Sequence, residues 1–393
     1  MPGSAFQKTS TKRISLNQQK SATRLPGSAF QKTSTKKISL NQQKSATRLP
    51  GSAFQTMLKI DIHTHIIPDK LPKWSEKFLD NRYIHLDHHC PGCARMMQGD
   101  KFFREIQSNC WDGEVRIHDC DATDVDVQVL SAIPVMFHYW EKNAQYALET
   151  SRFQNDFIAE VVSRHPKRFI GLGTVPLQDP ELSIQEMTRC VKELGLAGIE
   201  IGSHVNDWNL NAEELFPFFK AAADLNAAIF VHPWDMMGKD KMNKYWLPWL
   251  VGMPAETSLA ICSMIFGGIF EKLPHLKVAF AHGGGSFPST IGRIEHGFNV
   301  RPDLVAVDNN VNPRNYLNKF YLDTLVHDEI MMQYLLKLFG PNQLALGSDY
   351  PFPLGEHHPG KLIESLGLDN TIQERLLNGT ALEWLGVKKE QFI

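Results

Sequence analysis

The first 56 residues contain no aspartate or glutamate, although ten of the chain's 41 lysines and arginines fall there. The remaining residues therefore carry 31 basic groups against all 43 acidic ones, a formal charge of −12 hidden beneath an overall −2. A body with that balance lacks the basic field that nucleic acid requires, so no nucleic-acid partner is expected. Cysteine is scarce, with six in 393 residues, mostly scattered. That fits a reduced compartment better than a disulfide framework, and a cytoplasmic location is expected. Long apolar runs are missing as well. The longest, around Leu259 to Phe270, is well short of the ~20 residues that span a bilayer, and no membrane role is expected. No signal-peptide core opens the chain.

The acid-free segment is a repeat. Pro2-Gly3-Ser4-Ala5-Phe6-Gln7 recurs from Pro26 and again from Pro50, and the two full copies differ only at Arg13 versus Lys37. Each copy offers only Phe, Ile and Leu among Ser, Thr, Gln, Lys and Arg, too little apolar surface to offset ordering entropy. Residues 1–56 are expected to be disordered, and near-identity of the copies suggests a recent duplication or an artefact. A basic, Ser-rich start also has the composition of an organelle transit peptide, though the amphipathic helix such peptides need is poorly formed. The folded domain is expected over residues 57–393.

From Met57 onward, β-branched apolar runs alternate with helical patterns. The strand candidates are Leu58–His63, Val125–Leu130, Phe169–Val175, Gly198–Gly202, Ala228–His232, Lys277–His282, Phe320–Asp323 and Gln343–Asp349. Between them lie amphipathic stretches at Ala144–Ser163, Pro180–Leu194, Ala212–Asp224, Glu256–Glu271 and Asp328–Phe339. Eight such strands predict an α/β fold with a parallel sheet closed into a (β/α)8 TIM barrel, with an open doubly wound sheet as the alternative. Ile66–Asp124 breaks the rhythm and reads as an insertion after the first strand, at the face where barrel active sites form.

What ends each strand carries the chemistry. The first strand runs into His63-Thr64-His65, and residues two apart on a strand share a face. The fifth ends in His232, the sixth in His282-Gly283-Gly284-Gly285 and the eighth in Ser348-Asp349. Any one of these taken alone is a hydrogen-bonded strand-end polar residue. Four strand ends bearing His or Asp on one barrel face point to a shared metal, and three imidazoles with one carboxylate suit zinc with an open position for water. The expected ligands are His63, His65, His232 and Asp349, with His282 as general acid/base. A bridged two-metal site usually needs a lysine at the end of the fourth strand. That strand reads Gly198-Ile199-Glu200-Ile201-Gly202, so one metal per subunit is expected and Glu200 is read as a buried, paired carboxylate. Cys90-Pro91-Gly92-Cys93 follows His88-His89 and resembles half of a structural zinc site. With no partner pair it is read as a solvent-exposed turn.

The His-x-His motif with the later His, His and Asp resembles the pattern of the amidohydrolase superfamily. The stretches Lys59–His65, Gly171–Val175, Val231–Asp235, Lys244–Thr257, Phe280–Gly285, Arg301–Leu304 and Gly347–Gly355 look more narrowly like the 2-amino-3-carboxymuconate-6-semialdehyde decarboxylase family. The resemblance implies a zinc-dependent, non-oxidative decarboxylation in tryptophan catabolism, diverting flux from quinolinate and NAD synthesis. It implies Arg104 and Arg293 as substrate-binding arginines for a dianion, the second reaching the neighbouring site of a homodimer, and Trp249 and Phe352 as aromatics near the pocket. It implies that His282 and Asp349 handle the catalytic water. The Cys90/Cys93 pair and Glu200 depart from the family pattern. A hydrolase of a lactone or amide on the same scaffold is the alternative function, and a non-catalytic metal-binding protein is a third.

Overall fold

The computed structural model describes residues 57–393, so the disorder expected over residues 1–56 falls outside the described residues. Eight strands form one sheet: β1 Ile60–Ile66, β2 Val127–Ala132, β3 Phe169–Gly173, β4 Gly198–Gly202, β5 Ala228–His232, β6 Lys277–Phe280, β7 Tyr321–Asp323 and β8 Leu344–Ala345. They lie side by side in chain order, and every paired neighbour is parallel. The sheet closes on itself. Ile62 N–H donates to the Leu346 carbonyl at 2.8 Å, Asp349 N–H to the His63 carbonyl at 2.8 Å, and His65 N–H to the Tyr350 carbonyl at 2.8 Å. The closed barrel is therefore correct and the open sheet is not.

A helix follows each strand: α1 Gly113–Ala122, α2 Ala144–Arg164, α3 Pro180–Lys192, α4 Phe216–Asp224, α5 Met253–Phe266, α6 Phe287–Val300, α7 Glu329–Phe339 and α8 Thr380–Leu385. The apolar periodicity that identifies an amphipathic helix is missing from α1, whose buried residues are Arg116 and Cys120. Two glycines, Gly292 and Gly297, interrupt α6. These two helices escaped the pattern for those reasons. The helical run Pro248–Phe266, with a mean hydropathy of 1.4, is long and apolar enough to cross a membrane. This corrects the expectation that no run reaches that length. In this fold its Ala260, Ile261, Met264 and Ile265 pack into the core between barrel and helices.

The insertion contains an antiparallel sheet of three strands, Ile84–Cys90, Cys93–Gln98 and Lys101–Gln107, with a small core around Trp74, Tyr83, Met96 and Ile106. At the turn between its first two strands the sulfurs of Cys90 and Cys93 are paired as a disulfide, with Cα atoms 5.3 Å apart. Cys93 is buried. The turn is exposed at Cys90, Pro91 and Gly92 as expected, and the expectation of reduced cysteines is corrected: two intervening residues hold the two Cα atoms within disulfide range.

Inside the barrel, Ile60, Ile62, Val127, Val129, Leu172, Phe230, Ala279 and Ala345 form an apolar plug. α8 closes its lower end with Trp384, fully buried and 6.0 Å from the Phe230 ring. Trp384→Ala leaves a cavity in this plug and should cost about 3–5 kcal/mol. Urea denaturation followed by circular dichroism should show the lowered midpoint with an unchanged slope, and a loss under ~1 kcal/mol would mean that the plug collapses around the gap.

Candidate metal centre and cavity

Above the apolar plug five polar side chains meet. His63 and His65 come from β1, His232 is the last residue of β5, His282 follows β6, and Asp349 follows β8. The His63 ring centroid lies 5.1 Å from each of His65, His232 and His282. His232 is 5.0 Å from both His65 and His282. All five residues expected from the strand ends are thus brought together.

A bulge makes this possible. β1 runs on to Ile66, so the His-x-His pair lies within the strand rather than at its end. The ladder between β1 and β2 shifts register between Asp61 and Thr64. One extra residue in β1 lets Ile62 join the apolar plug while the next residue, His63, packs against Phe230 in the same plug. Below the bulge Ile60 and Ile62 face inward. Above it His63 and His65 do.

The protons on three imidazoles are fixed by their neighbours. His63 Nδ1 donates to Asp323 Oδ2 at 2.7 Å, His65 Nδ1 to the Ala132 carbonyl at 2.9 Å, and His232 Nδ1 to the Pro233 carbonyl at 2.8 Å. Each Nε2 is then a bare lone pair. All three Nε2 atoms are buried and lack a hydrogen-bond partner. Two of them face Asp349 Oδ1, at 3.6 Å from His63 and 3.1 Å from His65. Buried acceptors gathered around a carboxylate repel one another unless a cation sits among them. Imidazoles oriented through Nδ1 by carbonyl and carboxylate acceptors are the usual outer support of metal-ligating histidines. The residues fit a divalent metal. Burial, reinforced by the neighbouring imidazoles, holds His232 well below its ordinary pKa, and burial also lowers His65. Both are in the neutral form that a metal requires.

His282 differs. Donor atoms of His63, His232, His282 and Asp349 lie within 4.8 Å of one another, so His282 is near enough to join the set. Yet its Nδ1 is buried without an acceptor, and its Nε2 stands 3.8 Å from Asp349 Oδ2. Burial disfavours its charge, but Asp349 and Asp323 outweigh burial and raise its pKa. Burial likewise opposes charge on Asp349, and the surrounding imidazoles overcome it, holding the carboxyl well below its usual range.

The strand-end reading gave no role to Asp323, the last residue of β7. It is fully buried and accepts from His63 Nδ1, from the backbone N–H of His282 at 2.8 Å, from Gly283 at 2.7 Å and from Leu325 at 3.1 Å. It therefore orients one imidazole and grips the backbone of another, whose φ of +57° is in the left-handed region. The rule that identified Asp349, asking what ends each strand, identifies Asp323 when applied to the seventh. Gly347 belongs to the same packing, since a Cβ there would lie 2.7 Å from Asp323 Cβ and 3.0 Å from His63 Cβ. Glu200 on β4 is 3.7 Å from His65 Nδ1. Both its oxygens lack hydrogen-bond partners, and burial pushes its carboxyl well above the usual range. The carboxylate is buried as expected but has no hydrogen-bonded partner, and its burial favours the neutral form.

A cavity of about 550 Å³ opens over this cluster, touching His65, His232 and Asp349. Arg104, Trp249 and Phe352 line it, as expected. Arg104 projects from the insertion sheet with its guanidinium 4.4 Å over the Phe352 ring, a cation–π contact. Arg293 is not brought to the cavity; it is exposed on α6. Two cations that the sequence did not single out, Arg82 and Lys239, also line the cavity. Arg82 lies over the Trp140 ring at 4.0 Å. No local motif marks either.

Comparison with known proteins follows this geometry. Residues 60–387 match the amidohydrolase family model. The chain is 59% identical over 337 residues to a 2-amino-3-carboxymuconate-6-semialdehyde decarboxylase from Dictyostelium discoideum, covering 86% of this chain and 94% of that one. It is 37% identical over 356 residues to the protein of that name from Caenorhabditis elegans, covering 78% and 88%. In fold it is similar to a 5-carboxyvanillate decarboxylase from Novosphingobium aromaticivorans, solved with manganese and 4-hydroxy-3-methoxy-5-nitrobenzoic acid. That pair has a TM-score of 0.71 and 22% identity, covering 86% of this chain and 98% of that one. The chain belongs to the 2-amino-3-carboxymuconate-6-semialdehyde decarboxylase family of the amidohydrolases, and its activity is that of a decarboxylase.

Proposed function

We propose that this decarboxylase converts 2-amino-3-carboxymuconate 6-semialdehyde to 2-aminomuconate 6-semialdehyde and carbon dioxide in tryptophan catabolism. One zinc per subunit would be held by His63, His65, His232 and Asp349. The observation that carries the metal is the trio of unpartnered Nε2 atoms beside Asp349. Curated relatives bearing that substrate in their names, one of them 59% identical, favour the substrate. Nothing in the cavity favours a lactone or amide hydrolase. Bound there, the metal lowers the pKa of water to roughly 7 and polarises substrate oxygens.

The remaining chemistry falls to the side chains. The substrate carries two carboxylates, and Arg104 offers a planar fork to one of them inside the cavity. Its stacking on Phe352 sets the direction of that fork. His282, with one face to Asp349 and a buried Nδ1 left without an acceptor, takes a proton from the attacking water. As the water oxygen adds to the neighbouring double-bond carbon, His282 returns the proton to the carbon that bears the departing carboxylate; loss of carbon dioxide then leaves an electron pair that rebuilds the double bond and expels the added hydroxide. Asp349 orients the water. Trp249 and Phe352 shield the diene from solvent. Arg293, exposed on α6, serves the neighbouring site in a homodimer. The working location is the cytoplasm, with neither nucleic acid nor membrane as a partner.

Zinc-loaded protein should consume the semialdehyde, read as loss of its near-ultraviolet absorbance with matching carbon dioxide release. No turnover by fully loaded protein would sink the substrate assignment. His63→Ala should lose metal and activity together. His282→Ala should retain one metal equivalent while kcat falls by about 10²–10⁴. Asp323→Asn keeps every ligand but weakens the support of His63, so chelator competition should report metal affinity lower by about 10–100-fold. Sharing of the site between subunits makes a separate prediction. His282→Ala and Arg293→Ala proteins, each weakly active, should regain activity when unfolded together and refolded as mixed dimers. Absence of recovery would place Arg293 outside the site.

A further inference from the structure

We propose that the turn of the insertion sheet is a second metal site, separate from the barrel centre. It would take a thiophilic divalent cation such as zinc, on Cys90, Cys93 and His89, with Glu105 as the fourth side chain. Donor atoms of His89, Cys90 and Cys93 lie within 4.8 Å of one another. His89 Nε2 is 3.5 Å from Cys93 Sγ and 3.7 Å from Glu105 Oε2. A tetrahedral zinc with Zn–N of about 2.1 Å and Zn–S of about 2.3 Å holds its N and S ligands about 3.6 Å apart. His89 Nδ1 faces the Asp87 carbonyl at 3.4 Å, the arrangement seen at His65, and its Nε2 is left for a cation. His88 is excluded from the set because its Nε2 is held by the Asp69 carbonyl at 2.6 Å.

The backbone is shaped for chelation. Gly92 has a φ of +75°, which turns the chain back so that both cysteines face His89. Ser108 N–H donates to the Gly92 carbonyl at 2.8 Å and ties the turn to the end of the third insertion strand. The two sulfurs are bonded to each other in this structure, so the cation site exists in the reduced form. A thiol or phosphine reductant supplies two electrons and two protons, opening the S–S bond to two thiols. Cation binding then releases both protons as the thiolates ligate. Arg104 and Glu105 are adjacent on the strand Lys101–Gln107, paired across to Met96 and Arg95. Ligation by Glu105 therefore fixes the strand that carries Arg104 into the cavity; this consequence, unlike the site itself, rests on the substrate reading above.

The test uses the full chain, reduced with a phosphine, stripped of metal by a chelator and titrated with Co²⁺ alone. Thiolate ligation produces a near-ultraviolet sulfur-to-cobalt charge-transfer band that the sulfur-free barrel centre cannot give. The unaltered chain should show this band and bind one more cation than Cys90→Ser/Cys93→Ser. His63→Ala should lose the barrel cation and keep the band, so the two sites fail independently. Cys93 is buried, so His89→Ala and Cys90→Ser, both at exposed positions, serve as variants that spare the fold. Each should weaken the band-forming cation by about tenfold or more with unchanged circular dichroism. Absence of the band from the reduced, unaltered chain, or its survival in the double serine variant, overturns the proposal.

Discussion

Three buried imidazole lone pairs and a carboxylate point at one place inside this barrel, and much of the surrounding structure exists to keep them there. Acceptors brought together without water repel, and each lost hydrogen bond costs about 1–3 kcal/mol in a buried setting. The fold meets that cost with supports one step removed from the cluster. Asp323 takes the proton side of His63 and also the backbone of His282 and Gly283. Carbonyls at Ala132 and Pro233 do the same for His65 and His232. The imidazoles are settled in orientation and tautomer by hydrogen bonds on the side away from the shared point, which is the support that metal-ligating histidines ordinarily have.

The seam between the first and last strands is where that constraint meets the architecture. β8 is regular for only two residues, yet backbone bonds between His63 and Asp349 and between His65 and Tyr350 carry the closure onward. Behind them Asp61 accepts from the Ser348 N–H at 3.0 Å and from its hydroxyl. Burial raises the Asp61 carboxyl to about 7, because desolvation exceeds the help of these donors. Its folded pKa lies above its unfolded value. Its favourable contribution is complete below about pH 4 and fades as pH rises through 7. The seam that holds three of the five convergent residues, His63, His65 and Asp349, thus tightens toward acid, while the imidazoles above it must stay neutral to bind a cation. The two demands overlap near neutrality.

Much of this was legible in the chain because the barrel repeats one rule eight times. Apolar β-branched runs located all eight strands, β4 and β5 to the residue and the others within four residues at either end, and the polar residue after the run marked His232, His282 and Asp349. Asp323 was missed only because the rule was not carried to the seventh strand. Other features had no local signature. The bulge at Ile62 and His63 is a property of the β1–β2 ladder, and a strand read alone cannot reveal its partner's register. Helix α1 hides its packing in a buried arginine, Arg116, which donates to the His65 and Asn109 carbonyls and to Thr64 instead of showing an apolar stripe. Arg82 and Lys239 reach the cavity by the path of loops, and loop paths depend on what they pack against.

The barrel and the insertion divide the work by physical character. The barrel supplies rigid, deeply buried donors that can place a cation and a proton carrier with little freedom to move. Such a centre is indifferent to what a substrate carries away from its reacting carbon. In the proposed function recognition of charge comes from above, where Arg104 lines the cavity from an added sheet whose own core is built on Trp74, Tyr83 and Met96. A small sheet standing off a barrel is held by fewer buried contacts than the barrel strands, so the position of its arginine depends on whatever else stiffens it. Stacking on Phe352 is one restraint and the turn at Cys90–Cys93 is another. On the proposed reading the centre determines which bond breaks, and the stiffness of the insertion determines how well an anionic substrate is held while it does.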